Sequence, residues 1–401
     1  MNHKKIPLDV VIFGGGIAGL WTLNRLRNLG YDAILLENQA LGSGQTICSQ
    51  GIIHGGIKYA LSGFLSGSAN AVETMPQRWK ACLQGTGEID LRAVTILSPD
   101  QLLWSTGSLS SEIAGFFASK ALNSRVQKLE RSEYPTALQN TAFKGHVYRL
   151  EEIVLDTASL IHALAKPHQD SIFKINQNSG YTFITQPDNP QKVLSLKIFS
   201  GTETIEFSAQ RYLLTAGEGN EALMTNLPLT NTPAMQRRPL QMVWVKLNTR
   251  YPFFAHCIDQ GMNPRITITT HPAKDGKTVW YLGGQLAEDG VHRTESEQLD
   301  CAKKELNLLF PWLDLASAEW GSFFVNRAEP KQAGGKRPDT FFLECRENVM
   351  VGWPTKLALS PLLADRVIEC LPSQPSPGAD APPLFFKNAE KPEVARMPWD
   401  Y

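Results

Sequence analysis

The chain carries no net charge: 39 lysines and arginines balance 39 aspartates and glutamates. Without a basic surplus there is no electrostatic case for nucleic acid or for an anionic membrane surface. No apolar run approaches the roughly 18 residues of a membrane span. None of the six cysteines (Cys48, Cys82, Cys257, Cys301, Cys345, Cys370) stands in CxxC spacing with another, so neither zinc nor a disulfide framework is implied. The histidines lack metal-ligand spacing, and no metal is expected. Residues 1–5 are basic but lead into an apolar strand and a glycine turn, not a signal-peptide core. A reducing, cytoplasmic setting is the expectation. Charged residues are only 19% and hydrophobic ones 42%, the balance of a folded globular protein. A length of 401 residues suggests two domains.

The informative stretch is residues 8–56. An apolar strand, Leu8-Asp9-Val10-Val11-Ile12-Phe13, runs into Gly14-Gly15-Gly16-Ile17-Ala18-Gly19 and then a helical run to Gly30. A second apolar strand, Ala33-Ile34-Leu35-Leu36, ends in Glu37. This is the order of a dinucleotide-binding βαβ unit. Gly14 allows the sharp strand-to-helix turn, Gly16 lets a pyrophosphate approach the backbone, and Gly19 lets the helix pack on the sheet. The pyrophosphate would face the free N–H groups of the helix start, at Ile17 and Ala18. Leu20, Leu23, Leu26 and Leu29 suggest one apolar helix face, and Gly30 stands where a C-terminal cap belongs. Glu37, about 20 residues past the glycines, is placed to accept hydrogen bonds from ribose hydroxyls.

The loop after Glu37 is rich in small residues and hydroxyls, among them Ser43, Gly44, Thr46, Ser49 and Gly51. Such a loop can wrap a bulky flat group and donate backbone hydrogen bonds to it. That favours FAD over NAD. Only one dinucleotide fingerprint is found, which argues against a nicotinamide-dependent enzyme.

The run Ser49-Gln50-Gly51-Ile52-Ile53-His54-Gly55-Gly56-Ile57-Lys58-Tyr59 resembles the S-x-x-(L/V)-I-H-(G/A)-G-(L/I)-x-Y stretch of glycerol-3-phosphate and L-2-hydroxyglutarate dehydrogenases. These belong to the D-amino-acid-oxidase/glycerol-3-phosphate-dehydrogenase superfamily, where the segment runs past the flavin ring. The helix beginning near Asp156 is similar to the (V/L)-D-x-x-x-L-x-x-x-L helix of that superfamily. The strand end Leu213-Leu214-Thr215-Ala216-Gly217 is similar to its V-x-A-A/T-G element near the FAD pyrophosphate. Gly352-Trp353-Pro354-Thr355-Lys356-Leu357 is similar to its closing segment, with Lys356 two residues off the G-G-K-x-T spacing.

The resemblance implies an α/β fold: a Rossmann-like FAD-binding domain of the glutathione-reductase type, with a second α+β substrate domain on a mostly antiparallel sheet. Residues 1–80, 145–230 and 325–372 would form the FAD domain. Residues 81–144 and 231–324 would form the substrate domain, and 373–401 a C-terminal tail. Helices are expected over about 71–83, 110–122, 155–165 and 295–310, the last with Leu299, Ala302, Leu306 and Leu309 on one face. Strands over 171–176, 181–185, 192–199 and 203–208 read as a β-meander. Strands over 240–247, 265–269 and 278–283 are expected in the second domain.

Oxidation of an alcohol by flavin needs a base for the hydroxyl proton, and an anionic substrate needs a cation to hold it. His54 is the base candidate, or else a structural residue beside the flavin. Arg327 is the candidate anion clamp, or else an ion-pair partner of Glu329 or Asp339. Lys58, Tyr59 and Lys356 are candidate substrate contacts, with a solvated Lys58 and a packed Tyr59 as the alternatives. Cys48 and His54 lie close enough to the flavin segment in sequence for covalent attachment to be open. The expected activity is hydride transfer to FAD from a small anionic 2-hydroxy acid or polyol phosphate. An amine or amino-acid oxidase of the same fold, and a non-catalytic flavin-binding partner or sensor, are the alternatives. Oxygen, a quinone or a protein remain open as electron acceptor, with peripheral contact on the inner face of a membrane open alongside.

Overall fold

A computed structural model describes residues 5–55, 72–106, 126–176, 180–200, 203–258, 264–372 and 389–401. The expected helix at 110–122 and residues Gly56, Lys58 and Tyr59 lie outside them. The chain begins with β1 (Lys5–Phe13), α1 (Ile17–Asn28), β2 (Ala33–Glu37) and α2 (Met75–Leu83). Short strands follow: β3 (Ile96–Ser98), β4 (Gln101–Ser105), β5 (Val126–Lys128), β6 (Val147–Leu150) and β7 (Val154–Leu155). Then come α3 (Thr157–Ala165), β8 (Ile172–Lys174), β9 (Tyr181–Thr185), β10 (Val193–Ser200), β11 (Glu203–Leu214) and α4 (Asn220–Thr225). The next stretch holds β12 (Met235–Leu247), β13 (Ala255–Ile258), β14 (Ile266–Pro272), β15 (Thr278–Gly283), α5 (Gln285–Asp289) and α6 (Glu295–Leu309). It closes with β16 (Glu319–Pro330), β17 (Phe342–Arg346), β18 (Val349–Trp353) and α7 (Ser360–Glu369).

The first sheet runs β17-β18-β11-β1-β2-β8, parallel along this path except for the β17–β18 hairpin, and β10 and β9 extend it antiparallel from β11. β1 is apolar throughout its second half because both its faces are covered. Val10 and Ile12 enter the core shared with α1, α3 and α7, while Val11 and Phe13 enter the core beneath β9 and β10. The second sheet runs β16-β12-β15-β14-β13-β4-β6-β5 and is antiparallel except at β13–β4. α6 packs on it through Ala302, Leu306 and Leu309, and its start is fixed by a capping box between Thr294 and Glu297. Asp156 caps α3, its side chain accepting from Ser159 N–H at 2.7 Å. The Rossmann-like sheet and the mostly antiparallel second sheet are as expected. Sheet membership interleaves along the chain: β6 follows residue 145 and β16 continues past 325, yet both belong to the second sheet.

Several local expectations are corrected. Leu29 is not part of the buried helix face; it is 48% exposed, whereas Leu20, Leu23 and Leu26 are fully buried. Three-residue spacing outruns a 3.6-residue turn, so by Leu29 the side chain has swung to the opposite side of the helix. The meander holds only for β9, β10 and β11; β8 instead pairs in parallel with β2. The strand expected at 203–208 and the one ending at Leu214 are a single element, β11, which β10 pairs near its start and β18 near its end. The expected tail is not loose over 389–401. Leu41 N–H donates to Glu393 O at 2.7 Å, and Ala395 N–H donates to Leu41 O at 3.0 Å. Met397 and Trp399 are buried, and Trp399 packs against His271 and Tyr281 with ring centroids 5.1 and 5.2 Å away.

His271 is buried, with Nε2 2.9 Å from Thr269 Oγ1, and desolvation pushes its imidazole down to about 3. Below pH 6.5 the unfolded imidazole takes a proton that the native one refuses. The stability from this site is therefore complete above pH 6.5 and is lost as pH falls toward 3. His271→Gln is expected to shrink the stability difference between pH 7 and pH 5 by about 2 kcal/mol, read from denaturation at the two pH values.

Candidate active site

β1 ends where the chain must turn tightly. Gly14 has φ +105°, and a Cβ there would meet Ala216 Cα at 2.5 Å. A Cβ on Gly19 would meet the Gly14 carbonyl oxygen at 2.0 Å, so α1 can pack this close only with glycine at that position. Gly16 is the N-cap of α1 and faces Thr46, whose hydroxyl accepts from Ile17 N–H at 3.1 Å. Glu37, buried at the end of β2, ties this turn down. Its Oε2 accepts from Gly15 N–H at 2.6 Å, and its Oε1 accepts from Asn38 and Gln39 N–H at 2.9 and 2.8 Å. Burial raises the Glu37 carboxyl above its usual range, and these three bonds oppose the rise.

The glycine turn, the loop from Leu41 to Gly51, the end of β11, the inner strands of the second sheet and residues 353–357 enclose a cavity of ≈ 840 Å³. The loop is clasped on both sides. Gln50 Nε2 donates to Tyr281 O at 2.9 Å and Thr267 O at 3.2 Å, and Tyr281 OH donates to Cys48 O at 2.7 Å. Gly51, at φ +71°, sits so close to β7 that a Cβ would lie 2.0 Å from Leu155 O. Across the cavity Asn220, fully buried, accepts from Ala216 N–H at 2.8 Å and donates to Gly352 O at 3.1 Å, joining the ends of β11 and β18.

All the residues named for the cofactor line this cavity except Gly19 and Gly352. Gly19 serves helix packing, as its spacing suggested. Gly352 lies inside β18, where its carbonyl is taken by Asn220 and a Cβ would crowd Leu363 and Leu343. Lys356 lines the cavity but is mostly buried, with Nζ donating to Asp339 O at 3.2 Å. Cys48 also lines it, and burial pushes its thiol up to about 12.

His54 and Arg327 both reach the cavity. His54 Nδ1 lies 3.1 Å from Oε2 of Glu152, a carboxylate with no exposed side-chain surface. The other Glu152 oxygen accepts from Gly55 N–H at 2.8 Å. His256, buried on β13, stacks on His54 with ring centroids 5.9 Å apart, and its Nδ1 is 2.8 Å from Thr267 Oγ1. Donor atoms of His54, Glu152 and His256 lie within 4.8 Å of one another, a cluster that spacing along the chain did not reveal. Arg327 lies in β16, and its Nη1 donates to Glu288 of α5 at 3.1 Å; neither Glu329 nor Asp339 is that partner. Its Nε donates to Arg238 O at 3.2 Å, and Glu329 is engaged by Arg238. Burial and the nearby Arg238 guanidinium lower the Arg327 pKa, with Glu288 opposing.

The side-chain-free turn at Gly14 and Gly16, the helix start beyond it, and the long cavity running from Glu37 to His54 fit an FAD molecule. The fold and this cavity define a flavin-dependent oxidoreductase. The model of the family described as FAD dependent oxidoreductase (DAO) matches residues 9–347, and the chain belongs to that family. It is 48% identical to the probable FAD-dependent oxidoreductase PA4991 of Pseudomonas aeruginosa, over 99% of this chain and 98% of that one. The crystal structure of PA4991 superposes with TM-score 0.83 at 42% identity, covering 99% of this chain and 98% of that one. An L-alpha-glycerophosphate oxidase from Mycoplasma pneumoniae with FAD bound superposes with TM-score 0.65 at 14% identity, over 93% of this chain and 97% of that one. A glycine oxidase from Geobacillus kaustophilus gives 0.63 at 16%, over 94% and 98%. At such identities the likeness concerns the fold. Among the described residues no helix is long and apolar enough to cross a membrane.

Glu37→Ala leaves the Gly15 N–H without its acceptor. FAD affinity is expected to fall roughly 10–100-fold, measured by titrating apoprotein with FAD and following flavin fluorescence.

Proposed function

We propose that the chain oxidises a small anionic 2-hydroxy acid or polyol phosphate. The observation that carries this reading is the contact between His54, on the cavity wall, and the buried Glu152 carboxylate at 3.1 Å. With Glu152 accepting from Nδ1–H, the basic nitrogen of His54 is Nε2. The imidazolium formed when His54 takes the substrate hydroxyl proton is then stabilised by a carboxylate that water cannot reach. Bound FAD supplies the hydride acceptor. Arg327 holds the substrate's carboxylate or phosphate through its guanidinium fork, in exchange for Glu288. Lys356, also on the cavity wall, adds positive charge. Lys58 and Tyr59 remain candidate substrate contacts in this reading.

A second reading, amine or amino-acid oxidation, is favoured by Glu288, a cavity-lining carboxylate suited to a substrate ammonium. His54 separates the two, since in the second reading Glu288 faces the ammonium and takes its proton, and there is no hydroxyl proton for His54 to remove. His54→Ala is expected to slow flavin reduction by the 2-hydroxy acid or polyol phosphate by about 10²–10⁴-fold, followed anaerobically as loss of flavin absorbance. Reduction by an amine with the variant's rate intact moves the assignment to the second reading. Flavin that no hydroxy acid, polyol phosphate or amine bleaches points to a flavin-binding partner or sensor.

A further inference from the structure

Neither Cys345 nor Cys370 lines the cavity, yet the chain between them builds part of its wall. Cys345 is on the edge strand β17, and Cys370 caps the C-terminus of α7. Their Sγ atoms are 3.6 Å apart, although the residues are 25 positions apart in sequence. Both are free thiols; Cys345 is exposed and Cys370 partly so. A disulfide needs the sulfurs to close to about 2.05 Å, a movement within the reach of two side-chain rotations at an exposed strand edge and a helix end. The other four cysteines lie elsewhere: Cys48 in the cavity loop, Cys82 in α2, Cys257 in β13 and Cys301 in α6.

The position of the pair matters for the cofactor. From Cys345 the chain turns into β18, then passes along the cavity through residues 353–357, then enters α7 and returns to Cys370. A bond between the two sulfurs makes this a closed ring. Within it, Trp353 donates from Nε1 to Gly217 O at 2.9 Å, and Lys356 and Leu357 line the cavity. α7 is itself anchored at its middle, where Asp365 takes ion pairs from Arg78 and Arg25. A bond between the sulfurs would fix its far end to β17 as well.

We propose that Cys345 and Cys370 form a reversible dithiol–disulfide couple, an oxidation site whose disulfide tightens the hold of residues 353–357 on FAD. The oxidant class is a peroxide. One thiolate attacks a peroxide oxygen, giving a sulfenic acid and the first water. The second thiol attacks that sulfur, forming the S–S bond and releasing the second water, so two thiols and one hydrogen peroxide give one disulfide and two waters. A dithiol reductant returns both thiols. Burial and the neighbouring thiol push Cys345 up to about 11, against the pull of Arg211 on β11 and Arg366 on α7. Arg346 and Glu344 on its own strand pair with each other, as do Arg366 and Glu369 on the helix. Cys345 therefore rests as the thiol near neutral pH.

The test uses the full FAD-loaded chain. Hydrogen peroxide is added and then removed with catalase, peptides are mapped without reductant, and FAD release is followed by flavin fluorescence on heating. The expected result is a cross-linked peptide pair holding Cys345 and Cys370, with FAD released roughly 5 °C higher than in the thiol form. Dithiothreitol should reverse both, and neither Cys345→Ser nor Cys370→Ser should show the rise. Absence of the cross-link in excess peroxide overturns the couple. A cross-link that leaves the release temperature unchanged, or a rise that persists in either serine variant, overturns its hold on the cofactor.

Discussion

Everything near the cofactor depends on backbone approaching backbone at the ends of β1 and β11. Gly14 and Ala216 stand so close that no side chain fits between them, and α1 starts immediately beyond. That contact brings the positive end of a helix to the same edge where two parallel strands stop. Glu37 holds the turn from the next strand through Gly15 N–H, and Asn220 draws the end of β18 to the end of β11. Four strand ends and one helix start thereby meet in a patch of mostly backbone N–H and C=O groups. A diphosphate is recognised by such a patch without a cation having to be buried in it.

The reacting end is organised differently. There the wall comes from the second sheet, and polar side chains carry the geometry. Gln50 and Tyr281 bind the loop from Leu41 to Gly51 to β14 and β15, so the loop cannot drift from the sheet that would face the substrate. Glu152 lies just before β7 and reaches both His54 and Gly55, which orients the imidazole. A buried carboxylate costs several kcal/mol of hydration unless its partners compensate. The His54 imidazole and the Gly55 N–H provide that compensation locally.

Much of this was legible in the sequence because it is local. The glycine turn, the place of Glu37 at the end of β2, the α3 cap at Asp156 and the α6 face are each written within a few turns of chain, whereas the contacts that Glu37 makes with the Gly15, Asn38 and Gln39 N–H groups are not. Helix and strand periods suffice to find the former. What escaped is what depends on contacts between distant segments. Glu152 meets His54 across 98 positions, and Glu288 of α5 meets Arg327 of β16 across 39. Leu29 followed the leucine spacing but not the helix, and Gly352 carried a motif glycine into the interior of a strand. The only early sign of Glu152 was a carboxylate placed just before the apolar pair Val154 and Leu155, which alone does not tell a buried acid from a surface one. The short strands β4, β5 and β6 lack a distinct alternation, and they exist because the sheet supplies their partners.

The loop around Leu41 has a backbone partner at Glu393 and Ala395. A ribosome makes the glycine turn and this loop early and the partner segment late, at about 5–20 residues per second, so tens of seconds separate the two. During that interval the β1–α1–β2 unit can form, but one edge of the cavity loop stays unzipped. The loop gains this backbone partner only when residues 393–395 arrive. The same segment carries Trp399 onto Tyr281, so the step that closes the nucleotide loop also clamps the first sheet to the second. Assembly of the two halves and sealing of the nucleotide site become a single late event.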